Sequence, residues 1–75
     1  MVQILKMTFD AAGGMVACGA LPIRFDTEAD ATDFMEQYLQ MTFGRGKSGY
    51  QLEDEYWWGC DESPELQLHR FTLDH

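Results

Sequence analysis

Seventy-five residues with thirteen acids against five bases, a formal net charge of -8, describe one small domain with a negative surface. That balance excludes a basic nucleic-acid-binding footprint and disfavours contact with anionic lipid. Five Phe, three Tyr and two Trp exclude an acidic disordered chain, which lacks such residues.

A chain of this length buries only about 60% of its unfolded surface, so a net stability of ~3–5 kcal/mol is expected unless a partner or a second copy adds to it. Cys18 and Cys60 are too few for a disulfide scaffold. Met1–Phe9 lacks a basic leader followed by a long apolar run, and no apolar run reaches transmembrane length. The expected location is cytoplasmic, with both thiols reduced.

Val2 to Phe9 reads as a strand with Leu5, Met7 and Phe9 on one face and Val2, Ile4, Lys6 and Thr8 on the other. Asp10–Gly14, with paired glycines, reads as a hairpin turn. Met15 to Phe25 reads as a second, antiparallel strand. Pro22 cannot donate to a ladder, so this strand is an edge, a bulge or an irregular end. Its small residues Ala17, Gly19 and Ala20 leave room for a close neighbour, with the helix as the candidate.

The helix is predicted over Thr27–Phe43. Ala31, Phe34, Met35, Tyr38, Leu39 and Thr42 recur at three-and-four spacing and define a buried face. Asp30, Asp33, Glu36, Gln37 and Gln40 fall on the other side. Asp26 or Thr27 supplies the cap, and Glu28 and Asp30 suit the positive end of the helix dipole. Gly44 suits the C-terminal cap. Tyr50–Asp61 and Leu66–Leu73 read as the third and fourth strands, joined by a turn at Ser63-Pro64. A hairpin centred there sets Tyr56 opposite Phe71, Trp57 opposite Arg70 and Trp58 opposite His69. The expected fold is α+β: a small antiparallel sheet, in chain order β-β-α-β-β, packed by one amphipathic helix, a single domain over residues 1–75.

Chemistry-bearing motifs are sparse. Gly44-Arg45-Gly46-Lys47-Ser48-Gly49 has the letters of a phosphate-binding loop but follows a helix and precedes a strand, the reverse of what that loop requires. Asp26-x-Glu28-x-Asp30 lacks the central Gly and distal Glu of a calcium loop and is better used as a helix start. No metal-ligand spacing occurs; Cys60 and His69, expected to face each other near the hairpin, read as a small buried thiol and a half-exposed imidazole, and Ser48 and Ser63 sit in loops without an activating signature. Neither a catalytic residue, a metal nor a cofactor is expected, and the protein is read as a non-enzyme.

What remains is charge. No Lys or Arg lies between Asp26 and Phe43, nor between Glu53 and Glu65, so two acid-only blocks flank the basic glycine loop. Alternation in the third strand sets Glu53 and Glu55 on one face with Trp57, a carboxylate face with an aromatic anchor. The expected partner-binding residues are Asp30, Asp33, Glu36, Glu53, Glu55, Trp57, Asp61 and Glu62. The expected partner is a basic protein surface, such as that of a nucleic-acid-binding enzyme, whose groove is lined for phosphates. Carboxylates in rows would then imitate those phosphates. Size, acidity and aromatic content are similar to those of small phage-encoded anti-CRISPR and anti-restriction proteins, a similarity of composition that no motif carries. The alternative is a structural or interaction domain whose acidity serves solubility, folded alone or as a homodimer through its sheet edge or Trp face.

Overall fold

The computed structural model describes residues 1–61 and 66–75. Strand β1 (Val2–Phe9) and strand β2 (Met15–Phe25) form a hairpin, helix α1 (Glu28–Thr42) follows, and a single 3-10 turn at Arg45–Lys47 leads into β3 (Ser48–Gln51), β4 (Tyr56–Cys60) and β5 (Leu68–Asp74). The strands make one antiparallel five-stranded sheet in the order β2-β1-β5-β4-β3, with the helix on one side. This is the expected α+β fold with one more strand.

The extra strand arises because the stretch read as one strand over Tyr50–Asp61 turns back on itself at Leu52–Glu55. Three consecutive carboxylates there gain nothing from a buried ladder. Glu55 takes a φ of 52°, the left-handed conformation that reverses the chain without a glycine. The first hairpin closes on Asp10, whose Oδ1 accepts from the amides of Ala12 (3.0 Å) and Gly14 (2.8 Å). In β2, Leu21-Pro22-Ile23 bulge opposite Ile4, so Pro22 sits at an edge where its missing donor costs little.

Directly opposed residues in an antiparallel pair share a face. Val2, Ile4, Lys6 and Thr8 of β1 therefore point to the helix together with Leu73, Phe71 and His69 of β5 and Trp57 and Gly59 of β4. Against them the helix sets Ala31, Met35 and Leu39 fully inside, with Phe34 and Tyr38 half-buried beside them. Thr42, expected on the buried face, is exposed, and the next residue, Phe43, packs against the core instead. Each large side chain so buried contributes about 1.5–3 kcal/mol. Thr27 caps the helix, its hydroxyl accepting from the Asp30 amide at 3.2 Å. Gly44, at φ 86°, ends it, its amide and that of Phe43 donating to the Leu39 carbonyl.

The pairing of β4 with β5 is one residue away from the expected register: Trp57 faces Phe71, Trp58 faces Arg70 and Gly59 faces His69. Packing explains the shift. It buries Trp57 and Phe71 on the same face, and it sets Gly59 under the Phe43 ring, where only a residue without Cβ fits. A second expectation also fails: Ala17, Gly19 and Ala20 make no room for the helix. All three are exposed, with nothing within 4 Å of where a Gly19 Cβ would stand.

Candidate functional site

Helix geometry distributes the acids over two surfaces. Residues four apart line one side of a helix, and Glu28, Thr32, Glu36 and Gln40 face an open groove of about 860 Å³ between the helix and the β3–β4 side of the sheet. Glu55, in the turn after β3, lines the same groove. So one acid from the turn block meets two from the helix block in space. Tyr50 and Trp57 line the groove as well, their ring centroids 5.0 Å apart. Arg45 is the cation among its walls, and His75 reaches back to Glu28, Nε2 to Oε1 2.7 Å.

The residues singled out from the sequence fall as follows. Asp30 and Asp33 are exposed on the helix but do not line the groove; Glu36 does. Glu53 and Glu55 are exposed, in the turn and not on a strand face. Trp57 is not the exposed anchor that alternation suggested: it is 7% exposed, packed on Phe71, and offers the groove only its margin. Asp61 is half-exposed and turned to His69. Glu62 and the Ser63-Pro64 corner lie outside the described residues. Glu28, Arg45, Tyr50 and His75 escaped the sequence reading. The four-residue repeat Glu28–Thr32–Glu36–Gln40 was the available signal for the first of them, obscured because dipole placement already accounted for Glu28.

His69 is buried and makes two hydrogen bonds. Its Nε2 lies 3.3 Å from Asp61 Oδ2 and its Nδ1 lies 3.1 Å from Thr8 Oγ1. A carboxylate only accepts, so Nε2 carries the hydrogen toward Asp61. In the neutral ring Nδ1 then accepts from the Thr8 hydroxyl. The order hydroxyl, imidazole, carboxylate is that of a nucleophilic triad. Thr8, however, is 6% exposed, and its hydroxyl serves a bond that ties β1 to β5. The Cys60–His69 pairing considered from sequence does not form, because Cys60 faces Leu68 and points to the opposite side of the sheet from His69. Cys18 and Cys60 are free and exposed. Three strand spacings, about 14 Å, separate β2 from β4, too far for a bridge within one chain.

Among the described residues, no group of three or more His, Cys, Asp or Glu is placed to hold a metal ion, and no helix is long and apolar enough to cross a membrane. The carboxylates of Asp30, Asp33, Glu36 and Glu55 have no Lys or Arg within ion-pair distance among the described residues. Fold and surface together define a small α+β protein with an acidic groove walled in part by aromatic rings. The chain matches no family model, no curated protein and no solved structure.

Proposed function

We propose that this is a small non-enzymatic interaction protein that docks its carboxylates onto the basic surface of a nucleic-acid-binding partner, an inhibitor of the DNA-mimic kind represented by anti-CRISPR and anti-restriction proteins. The observation that supports this reading is the convergence of Glu28 and Glu36 with Glu55 around one groove, while Asp30 and Asp33, exposed on the adjoining helix surface, have no Lys or Arg in ion-pair range among the described residues. A Lys or Arg entering the groove meets carboxylate oxygens and the exposed Tyr50 ring, with the Trp57 margin behind it. Both attract cations, the rings by ~0.5–1 kcal/mol at an exposed site.

The test uses a purified Lys/Arg-rich nuclease carrying a fluorescent duplex. The protein should displace the duplex at low salt, and its own binding to the duplex-free nuclease should weaken as salt rises from 50 to 300 mM. No displacement, or binding indifferent to salt and to reversal of the acids, removes the reading.

A further inference from the structure

The helix and the acidic groove occupy one side of the sheet. Strand pairing places Leu5, Met7 and Phe9 of β1, Tyr56 and Trp58 of β4 and Arg70 of β5 on the other side, which no helix covers. The Trp58 indole lies across the strand pair on Gly49, where a Cβ would stand 3.2 Å from its Nε1. The guanidinium carbon of Arg70 lies 5.0 Å from the Phe9 ring and 4.7 Å from the Tyr56 ring. Both rings attract the cation, and neither neutralises it.

Arg70 is short of acceptors. Its Nε is buried and has no hydrogen-bond partner. Its terminal nitrogens reach the surface, and among the described residues they have neither a hydrogen bond nor a carboxylate within ion-pair distance. Arg24, at the far corner of the same face, differs: with the Gln3 amide turned to accept, its oxygen lies 2.9 Å from Arg24 Nε. A partly desolvated cation without an acceptor is costly, and an anion that brings two oxygens relieves the cost. Held between two rings, the Arg70 fork keeps one direction, as bidentate recognition of a carboxylate requires. Arg70 also lines an open hollow of about 510 Å³ with Phe9, Leu66 and Leu68 in its walls. Asp10 lines it too, its Oδ1 held by two turn amides, and its charge favours a single carboxylate over a polyanion.

We propose that this face docks a segment of a partner protein that presents one Asp or Glu beside large apolar side chains, the carboxylate on Arg70 and the apolar groups over Phe9 and Trp58. Charge complementarity selects this occupant, because the face holds a cation without a counter-ion in a chain of charge -8. Two arginines are too few to hold a nucleic acid against that charge, and a second copy is repelled by it. A free small carboxylate fits the hollow but leaves the aromatic band uncovered. That band runs from Phe9 on β1 to Trp58 on β4, two strand spacings or about 10 Å.

The full chain, labelled with nitrogen-15, is titrated with blocked peptides that carry one Asp flanked by Phe, Leu or Trp, and with the same peptides carrying Asn. The Asp peptides should shift the Arg70 Nε–H and Trp58 indole N–H signals together with the amides of β1 and β5. The Asn peptides should bind about tenfold more weakly, the usual worth of a charge-assisted hydrogen bond. Arg70→Gln should bring the Asp peptides down to the affinity of the Asn peptides, with unchanged circular dichroism. If that variant does not fold, the Asp-to-Asn comparison on the unaltered chain decides alone. Four results overturn the proposal: no shift of these signals at millimolar peptide, equal binding of Asp and Asn peptides, a single-stranded oligonucleotide that shifts the same signals at lower concentration, or self-association of the free chain that shifts them. The site lies across the sheet from the groove, so Glu36→Lys with Glu55→Lys should weaken docking of a basic partner and leave peptide binding no weaker.

Discussion

Gly59 shows how one missing side chain decides a register. A Cβ built there would stand 2.3 Å from Cδ2 of Phe43, deep inside contact distance, and the ring belongs to the core cluster with Phe71. Gly59→Ala should therefore destabilise the fold by about 1–3 kcal/mol, the usual cost of overpacking. Urea unfolding followed by Trp fluorescence measures it; a variant as stable as the parent would mean that Phe43 is free to move aside. The Thr8–His69–Asp61 chain makes a second residue-scale claim. Thr8→Val keeps the shape but removes the hydroxyl that bonds buried Nδ1, at a cost of about 1–3 kcal/mol. Asp61→Asn should cost less, because Asp61 is half-exposed and water can replace it. A reversed ranking would show that the carboxylate, and not the hydroxyl, holds the ring.

Among the elements, the helix joins core and groove. Leu39→Ala should cost about 2–5 kcal/mol, as deletion of a buried Leu does. Phe34→Ala should cost less than Leu39→Ala. Phe34 is half-buried and stacks only between Phe25 and Tyr38, at 5.2 and 5.6 Å. Denaturation midpoints order the two variants, and the opposite order would rotate the buried face toward Phe34. This face was legible in the sequence because the three-and-four spacing of Ala31, Met35 and Leu39 needs no tertiary context. The same holds for β1 and β2, where alternation and the glycine turn mark both ends. The turn at Leu52–Glu55 was not legible, since it contains neither Gly nor Pro and relies on Glu55 in a left-handed conformation. Nor was the burial of Trp57, which depends on pairing with Phe71 rather than on anything local. The groove was half legible: its acids were visible as blocks, but their meeting depends on that same unpredicted turn placing Glu55 across from Glu28 and Glu36.

Over the whole molecule, charge is sorted by surface. The carboxylates of the helix and of the Glu53–Glu55 turn border the groove or adjoin it, whereas β2 from Met15 to Ile23 is uncharged. Sorting gives the docking proposal a test that net charge alone cannot imitate. Each acid-to-Lys reversal adds two charges, so Glu36→Lys with Glu55→Lys and Asp30→Lys with Asp33→Lys both move the chain from -8 to -4. All four side chains are exposed, so both proteins should fold. If only the long-range field attracts a basic partner, the two double variants lose affinity equally. If the groove seats the cation, the Glu36/Glu55 pair loses at least about tenfold more, some 1.4 kcal/mol, than the Asp30/Asp33 pair. Arg45→Gln gives the complementary sign: removing the cation that lines the groove should tighten binding. Titration of one basic partner with all three variants at a single ionic strength reads both effects. Equal losses from the two reversals, with no gain from Arg45→Gln, would move the contact away from the groove and onto the undifferentiated negative field.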